Sequence, residues 1–280
     1  DVKAADLAAV LDKVLADMKK IEDPDDIAAY VSNVDPYGEG VTTLWNAAKA
    51  LQKEINEAKA AVATIGDANY DTLAKAIENA KKGDVITLVK DITLSETANI
   101  PEGVTLDGNG KTVTYTGVKG EKSYNSAIVL ATDATLKDIT VQGTKPINVW
   151  DSCYGVQAYN ATGVIIEDVT VKGCNAGILI NGSSATLEGT IDVSGNGFGG
   201  IEVSKGDSLT TNSTLAVKGT VINTSESETN PTAWTECEAK GANAQGTITG
   251  TDWTQVFLNN GSEESPKYQI FWFMDSKLAQ

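Results

Sequence analysis

The 280-residue chain has no histidine, and all 22 of its basic residues are lysine, so arginine is missing too. Without imidazole, serine–histidine and cysteine–histidine nucleophile systems are excluded. Without guanidinium there is no bidentate clamp for carboxylate or phosphate. Any catalysis must come from carboxylate, lysine or tyrosine. Three cysteines, Cys153, Cys174 and Cys237, are too few and odd in number for a disulfide framework, and their spacing matches no zinc motif. No apolar run approaches the roughly 20 residues of a membrane helix, so membrane insertion of this segment is not expected. The chain opens at Asp1 on a polar stretch, so an export signal is expected to have been trimmed or never to have existed. Its 38 acidic residues leave a formal net charge of −16, which repels phosphate backbones and argues against nucleic acid as a partner.

What is present falls into two kinds of pattern. Over residues 1–66, Leu7, Val10, Leu11, Val14 and Met18 recur at helical spacing, and so do Leu44, Ala48, Leu51, Ile55 and Ala58. In EDPDDIAAYV, Asp23 is a candidate cap, Pro24 stands at the first helical position, and Asp25 and Asp26 favour the positive end of the helix dipole. These features predict a helical hairpin or three-helix spacer domain. A further amphipathic helix is predicted over residues 70–82, with Gly83 as its C-terminal cap.

From residue 83 onward the helical period gives way to short β-branched runs between turn residues. The phrase TLKDITVQG (Thr135–Gly143) returns as IIEDVTVKG (165–173), then more loosely as TLEGTIDVSG (186–195) and STLAVKGTV (213–221). The separations are irregular, roughly 20–30 residues, within the range of solenoid repeats. Stacking such units in parallel places Leu136, Ile166 and Leu187 in one inward column at about 4.8 Å per rung. The fold class expected is therefore mainly β: a single-stranded right-handed parallel β-helix over residues 67–280, following the N-terminal α-helical domain. A β-sandwich is the competing arrangement, though sandwiches rarely repeat their own sequence. An open coil exposes strand edges at both ends. The 70–82 helix is expected to cover the first, and KYQIFWFMDS (267–276) to close or flank the last rung. The polar stretch 225–246 reads as a long excursion.

The segment TLAKAIENAKKGD, followed by VITLVKDITL and IPEGVTLDGNGKTVT, resembles the start of pectate-lyase-like β-helix domains of bacterial surface proteins. The resemblance implies an extracellular or cell-surface protein of adhesive type, and less often an enzyme acting on polysaccharide. It does not extend to the N-terminal helices, and this fold by itself fixes no function.

The cationic base and calcium-binding aspartates of pectate lyases do not carry over, because that base is usually arginine. A lysine–tyrosine pair drawn from Lys119, Lys122, Tyr124, Lys145 and Tyr154 is conceivable for a lyase. Asp138 and Asp168 hold the same place in their repeats and form the candidate catalytic carboxylates of a hydrolase. Two bare carboxylates at roughly 5 Å repel by about 3 kcal/mol at an effective dielectric of 20, so they face solvent, share a proton or flank a cation such as Ca2+. The third repeat has Gly189 at that position. The motifs of a pectin-methylesterase-type site are absent. For binding, the insertion TKPINVWDSCYGVQAYN (144–160) carries Trp150, Asp151, Tyr154 and Tyr159. Its rings suit sugar faces and its polar groups suit hydroxyls. The expected function is non-catalytic adhesion to a glycan or a host or cell-surface ligand. A polysaccharide lyase or hydrolase, and a structural scaffold, are the alternatives.

Overall fold

The structure is a computed structural model that describes residues 50, 53, 60–117, 126–144, 153–206 and 208–278. The chain divides into two compact units, Asp1–Ala60 and Ala61–Gln280. Of the first, only residues 50, 53 and 60 are described, each helical, so the predicted spacer domain lies almost wholly outside the described residues. Its expected end at residue 66 needs correcting. Residues within the unit Ala61–Gln280 form strand β1 (Ala63–Ile65) and its partner β2 (Ala68–Tyr70), not helix.

Helix α1 (Leu73–Asn79) follows. The Thr72 side chain accepts a hydrogen bond from the Lys75 amide at its start, and Leu73 and Ala76 turn into the main core. The helix is shorter than the predicted 70–82. Ala80 is already extended, and the Lys81 amide is captured by the Asp84 carboxylate. This local capture competes with one more helical turn.

Beyond the helix come β3 (Val85–Leu88), β4 (Ile92–Leu94), β5 (Ala98–Ile100), the long β6 (Thr105–Tyr115) and β7 (Ser126–Leu130). Next are β8 (Thr135–Gly143), β9 (Tyr154–Tyr159), β10 (Val164–Lys172), β11 (Ala176–Asn181) and β12 (Ser184–Asp192). The last coils hold β13 (Ile201–Ser204), β14 (Ser213–Val217), β15 (Thr220–Ile222), β16 (Ala233–Glu236) and β17 (Gly246–Thr249). One sheet runs β3-β6-β8-β10-β12-β14-β17 and the other β5-β7-β9-β11-β13-β16. Within each, every neighbour along these runs is parallel. The strand order advances by one coil at a time between two faces, which is the stacking of a parallel β-solenoid. Strands β6, β8, β10 and β12 bend partway, and β4 and β15 pair only with their second halves, giving each coil a third face.

In-register parallel pairing turns the repeated phrases into columns. Ile86, Leu106, Leu136, Ile166, Leu187 and Val217 stack inside one face. Ala98, Ile128, Val156, Ile178, Ile201 and Ala233 stack inside the other sheet. Both columns belong to one continuous core. At the corners, buried serines satisfy backbone groups that no ladder reaches. The Ala161 amide donates to Ser183 Oγ, and the Ser183 amide to Ser213 Oγ one rung on. The Asn196 side chain does the same for the carbonyls of Val171 and Val193.

The ends are closed differently. At the first, β1 pairs antiparallel with both β2 and β3, and α1 packs over the inward side chains. At the last, β18 (Thr254–Asn259) and β19 (Tyr268–Phe273) form an antiparallel pair, with β19 against β16. The stretch read as a polar excursion thus contains β16, the last parallel strand of its sheet. Ala233, Trp234 and Thr235 are buried, a strand the surrounding Ser, Thr and Glu residues masked. Among the described residues no helix is long and apolar enough to cross a membrane.

Leu136 is fully buried between Leu106 and Ile166. Leu136→Ala should lower unfolding stability by about 2–5 kcal/mol in urea titrations. Val85→Ala, at an exposed position of β3, should cost under about 1 kcal/mol.

Candidate functional site

The bend in β6, β8, β10 and β12 is made at left-handed residues, one each in β8, β10 and β12 and two, Asn109 and Gly110, in β6, and the sequence already marks it. Asn109, Asp138, Asp168 and Gly189 have φ of 49°, 50°, 51° and 61°. In the left-handed region only Gly is unstrained, and Asn and Asp are the best-tolerated substitutes. The replacement of Asp by Gly189 in the third repeat is therefore a conformational equivalence. Asp168 also has a bonding task, since its Oδ1 accepts from the Thr190 amide of the next rung at 2.8 Å. Asp138 is half exposed and lies 3.8 Å from Lys137 Nζ, which in turn pairs with Asp107 at 2.9 Å. The hydrogen bond from Lys137 to Asp107 holds that ammonium above its ordinary pKa. Asp138 and Asp168 thus occupy one corner column, and both shape the backbone there. No group of three or more acidic or cysteine side chains close enough to hold a metal ion occurs among the described residues.

The candidate binding residues separate. Trp150 and Asp151, like Lys119, Lys122, Tyr124 and Lys145, lie outside the described residues. Tyr159, at the end of β9, is 45% exposed, and its hydroxyl lies 3.4 Å from Ser208 Oγ. Its ring is open to a ligand. Tyr154, at the start of β9, differs from the expectation, being only 6% exposed. It packs with Ala176 and Leu179 on the outer side of the sheet, and its hydroxyl donates to Glu202 Oε2 at 3.0 Å.

Glu202 is the residue that sequence reasoning missed. In GIEVSKG it alternates with inward Ile201 and Val203, so period-two reading places it in solvent. It is outward, but only 9% exposed. Desolvation raises its carboxyl pKa to about 7, opposed by the Tyr154 hydrogen bond and assisted by the nearby Glu236 charge. The signal that could have found it is its column. Gln157 and Leu179 precede it and Trp234 follows, an unusually apolar set for an outward position. Farther along the same side, Phe198 and Trp234 meet edge to face at 5.3 Å, with Phe271 and Phe273 beside them.

Two surface depressions stand out. One, of about 600 Å3, lies between α1 and the β4–β5 segment, lined among others by Asp71, Glu78, Asp91 and Glu96. The other, of about 250 Å3, is a shallow hollow among Ser184, Thr186, Thr214, Ala216 and Thr249. Neither brings aspartate, lysine and tyrosine together.

Residues 67–178 match the family model described as "Putative pectate lyase-like adhesive domain". The match covers the first coils, through β10 and into β11, and spans both long insertions. Comparisons with curated proteins and with solved structures find no match.

Two measurements follow from this geometry. Asp168→Ala should cost about 1–3 kcal/mol in urea unfolding, through the strained corner and the lost acceptor. Asp168→Gly should recover the conformational part of that loss, whereas the two variants would be equally inactive if the carboxylate were catalytic. Glu202 makes stability depend on pH through its raised carboxyl pKa. At pH below 4.5 the carboxyl is protonated in both states. As pH rises toward 7 the unfolded chain loses the proton first, so stability falls, and the loss is complete above the folded value. Relative to Glu202→Gln, the wild-type chain should lose about 3 kcal/mol over that interval, measured by urea unfolding across the range.

Proposed function

We propose that this chain is the binding portion of an exported or surface-attached protein, a right-handed β-solenoid that holds a glycan or cell-surface ligand without transforming it. The right-handed sense is the one that parallel crossovers favour. The observation that carries the reading is the family match over residues 67–178, which names an adhesive domain. The ligand contacts are assigned to the 144–160 insertion, with Trp150 and Tyr159 as stacking rings and Asp151 as hydroxyl acceptor. Tyr154 is a positioning residue there, anchored on Glu202. Corner aspartates engaged in backbone geometry, and depressions without converging catalytic groups, support binding over catalysis. A residue-poor alternative, a scaffold within a larger surface assembly, shares the same fold and predicts no ligand.

One observation favours a second reading. Glu202, titrating near neutrality beside the Tyr154 hydroxyl, has the character of a general acid in a lyase or hydrolase. A single experiment separates the readings. The chain is incubated with acidic and neutral polysaccharides, with and without Ca2+, and both retention and new reducing or unsaturated ends are scored. Retention without product is expected, weakened at least about tenfold by Tyr159→Ala or Trp150→Ala, with stability unchanged in Tyr159→Ala. Product that disappears in Asp138→Ala, Asp168→Ala or Glu202→Gln would replace adhesion by catalysis. Neither retention nor product would leave the scaffold.

A further inference from the structure

Cys153 and Cys174 are 21 positions apart in the chain yet their sulfurs lie 3.5 Å from each other. The two flank consecutive rungs of one sheet. Tyr154 begins β9 immediately after the first, and β11 begins two residues after the second. A backbone hydrogen bond from the Asn175 amide to the Cys153 carbonyl, 2.8 Å, locks the two segments together. Both side chains are in the main apolar core, 2% and 0% exposed. The corner is tightly packed: a Cβ on Gly143, one rung back, would collide with the Gly173 carbonyl first and would also lie 3.0 Å from Cys174 Sγ. Cys237, by contrast, is only partly buried and belongs to the segment after β16.

All three cysteines carry thiols in this structure. The geometry points to Cys153 and Cys174 as the site of a disulfide between rungs, formed when the chain folds in contact with a disulfide oxidant. An S–S bond is about 2.05 Å long, so the sulfurs need approach by only about 1.5 Å. Low-molecular-weight disulfide, such as oxidised glutathione, balances the reaction. One cysteine thiolate attacks it and releases one glutathione thiolate, leaving a mixed disulfide on the protein. The second cysteine thiolate attacks the protein-side sulfur and releases the other glutathione thiolate. Two thiol protons go to solvent or to the departing thiolates, the two cysteines are oxidised, and the glutathione disulfide is reduced. The hydrogen bond with Cys153, and after it burial, raise the Cys174 thiol well above its ordinary pKa, so thiolate is scarce once the coil has closed. Exchange therefore belongs to folding, before the core excludes the oxidant. The bond ties Cys153, within the 144–160 segment, to the next rung, and it stands whether or not that segment binds a ligand.

The test uses the full chain, unfolded and reduced, then refolded in glutathione buffer with the oxidised form in excess. After quenching with acid and unfolding without reductant, thiols are counted with a chromogenic reagent and linked peptides are identified by mass spectrometry. Expected is the loss of two of the three thiols, with a peptide pair joining Cys153 to Cys174 and Cys237 recovered reduced. A Cys237→Ser chain should lose both remaining thiols under the same treatment. Three thiols in the wild-type chain, two in Cys237→Ser, or a bond that involves Cys237 would overturn the proposal.

Discussion

Parallel in-register stacking is the constraint on which everything else in this molecule depends. Once strand β8 lies on β6 and β10 on β8, each residue must accept its counterpart about 4.8 Å above and below. An inward position has to be apolar in every coil, or the core is interrupted. This is why Leu106, Leu136, Ile166 and Leu187 form one dry column, while buried Ser183, Ser213 and Asn196 stand at corners, where they hold loose backbone groups.

The same constraint governs the outside. An outward column of like charges would repel at every step, and the one that runs through Asp107, Lys137, Glu167 and Glu188 avoids part of that cost by alternation. Lys137 pairs with Asp107, and Lys218 reaches Glu188 at 3.1 Å. Such partly exposed pairs contribute little each, about 0–1 kcal/mol, and offset part of the like-charge repulsion in the column. Opposite, on the sheet of β9, β11 and β13, the outward column becomes apolar and is covered. There a carboxyl is driven toward neutrality, and at the neighbouring corner two thiols meet within the core.

Much of this was legible in advance. Recurrence of an apolar phrase without helices between its copies points to stacked parallel strands, because in-register stacking asks for the same pattern in each coil. The equivalence of Asp138, Asp168 and Gly189 was also visible, but it read as paired chemistry. Only backbone angles near 50–60° reveal the shared requirement of a left-handed corner. Helix α1 was visible by its period and ended early because Asp84 took the Lys81 amide, an interaction that periodicity does not carry. Strand β16 was hidden because its polar surroundings outweighed four residues of weak alternation.

The sequence by itself determined the class of chain, the repeat, the inward columns and the chemistry that is impossible without histidine and arginine. Those follow from local composition and from period, which every coil states again. Tertiary structure decided which outward residues are covered. Tyr154 and Glu202 are 48 positions apart, and their hydrogen bond exists only because two turns of the coil bring them together. Cys153 and Cys174 meet for the same reason, since contact across rungs depends on the length of each coil and not on any signal at the residues themselves.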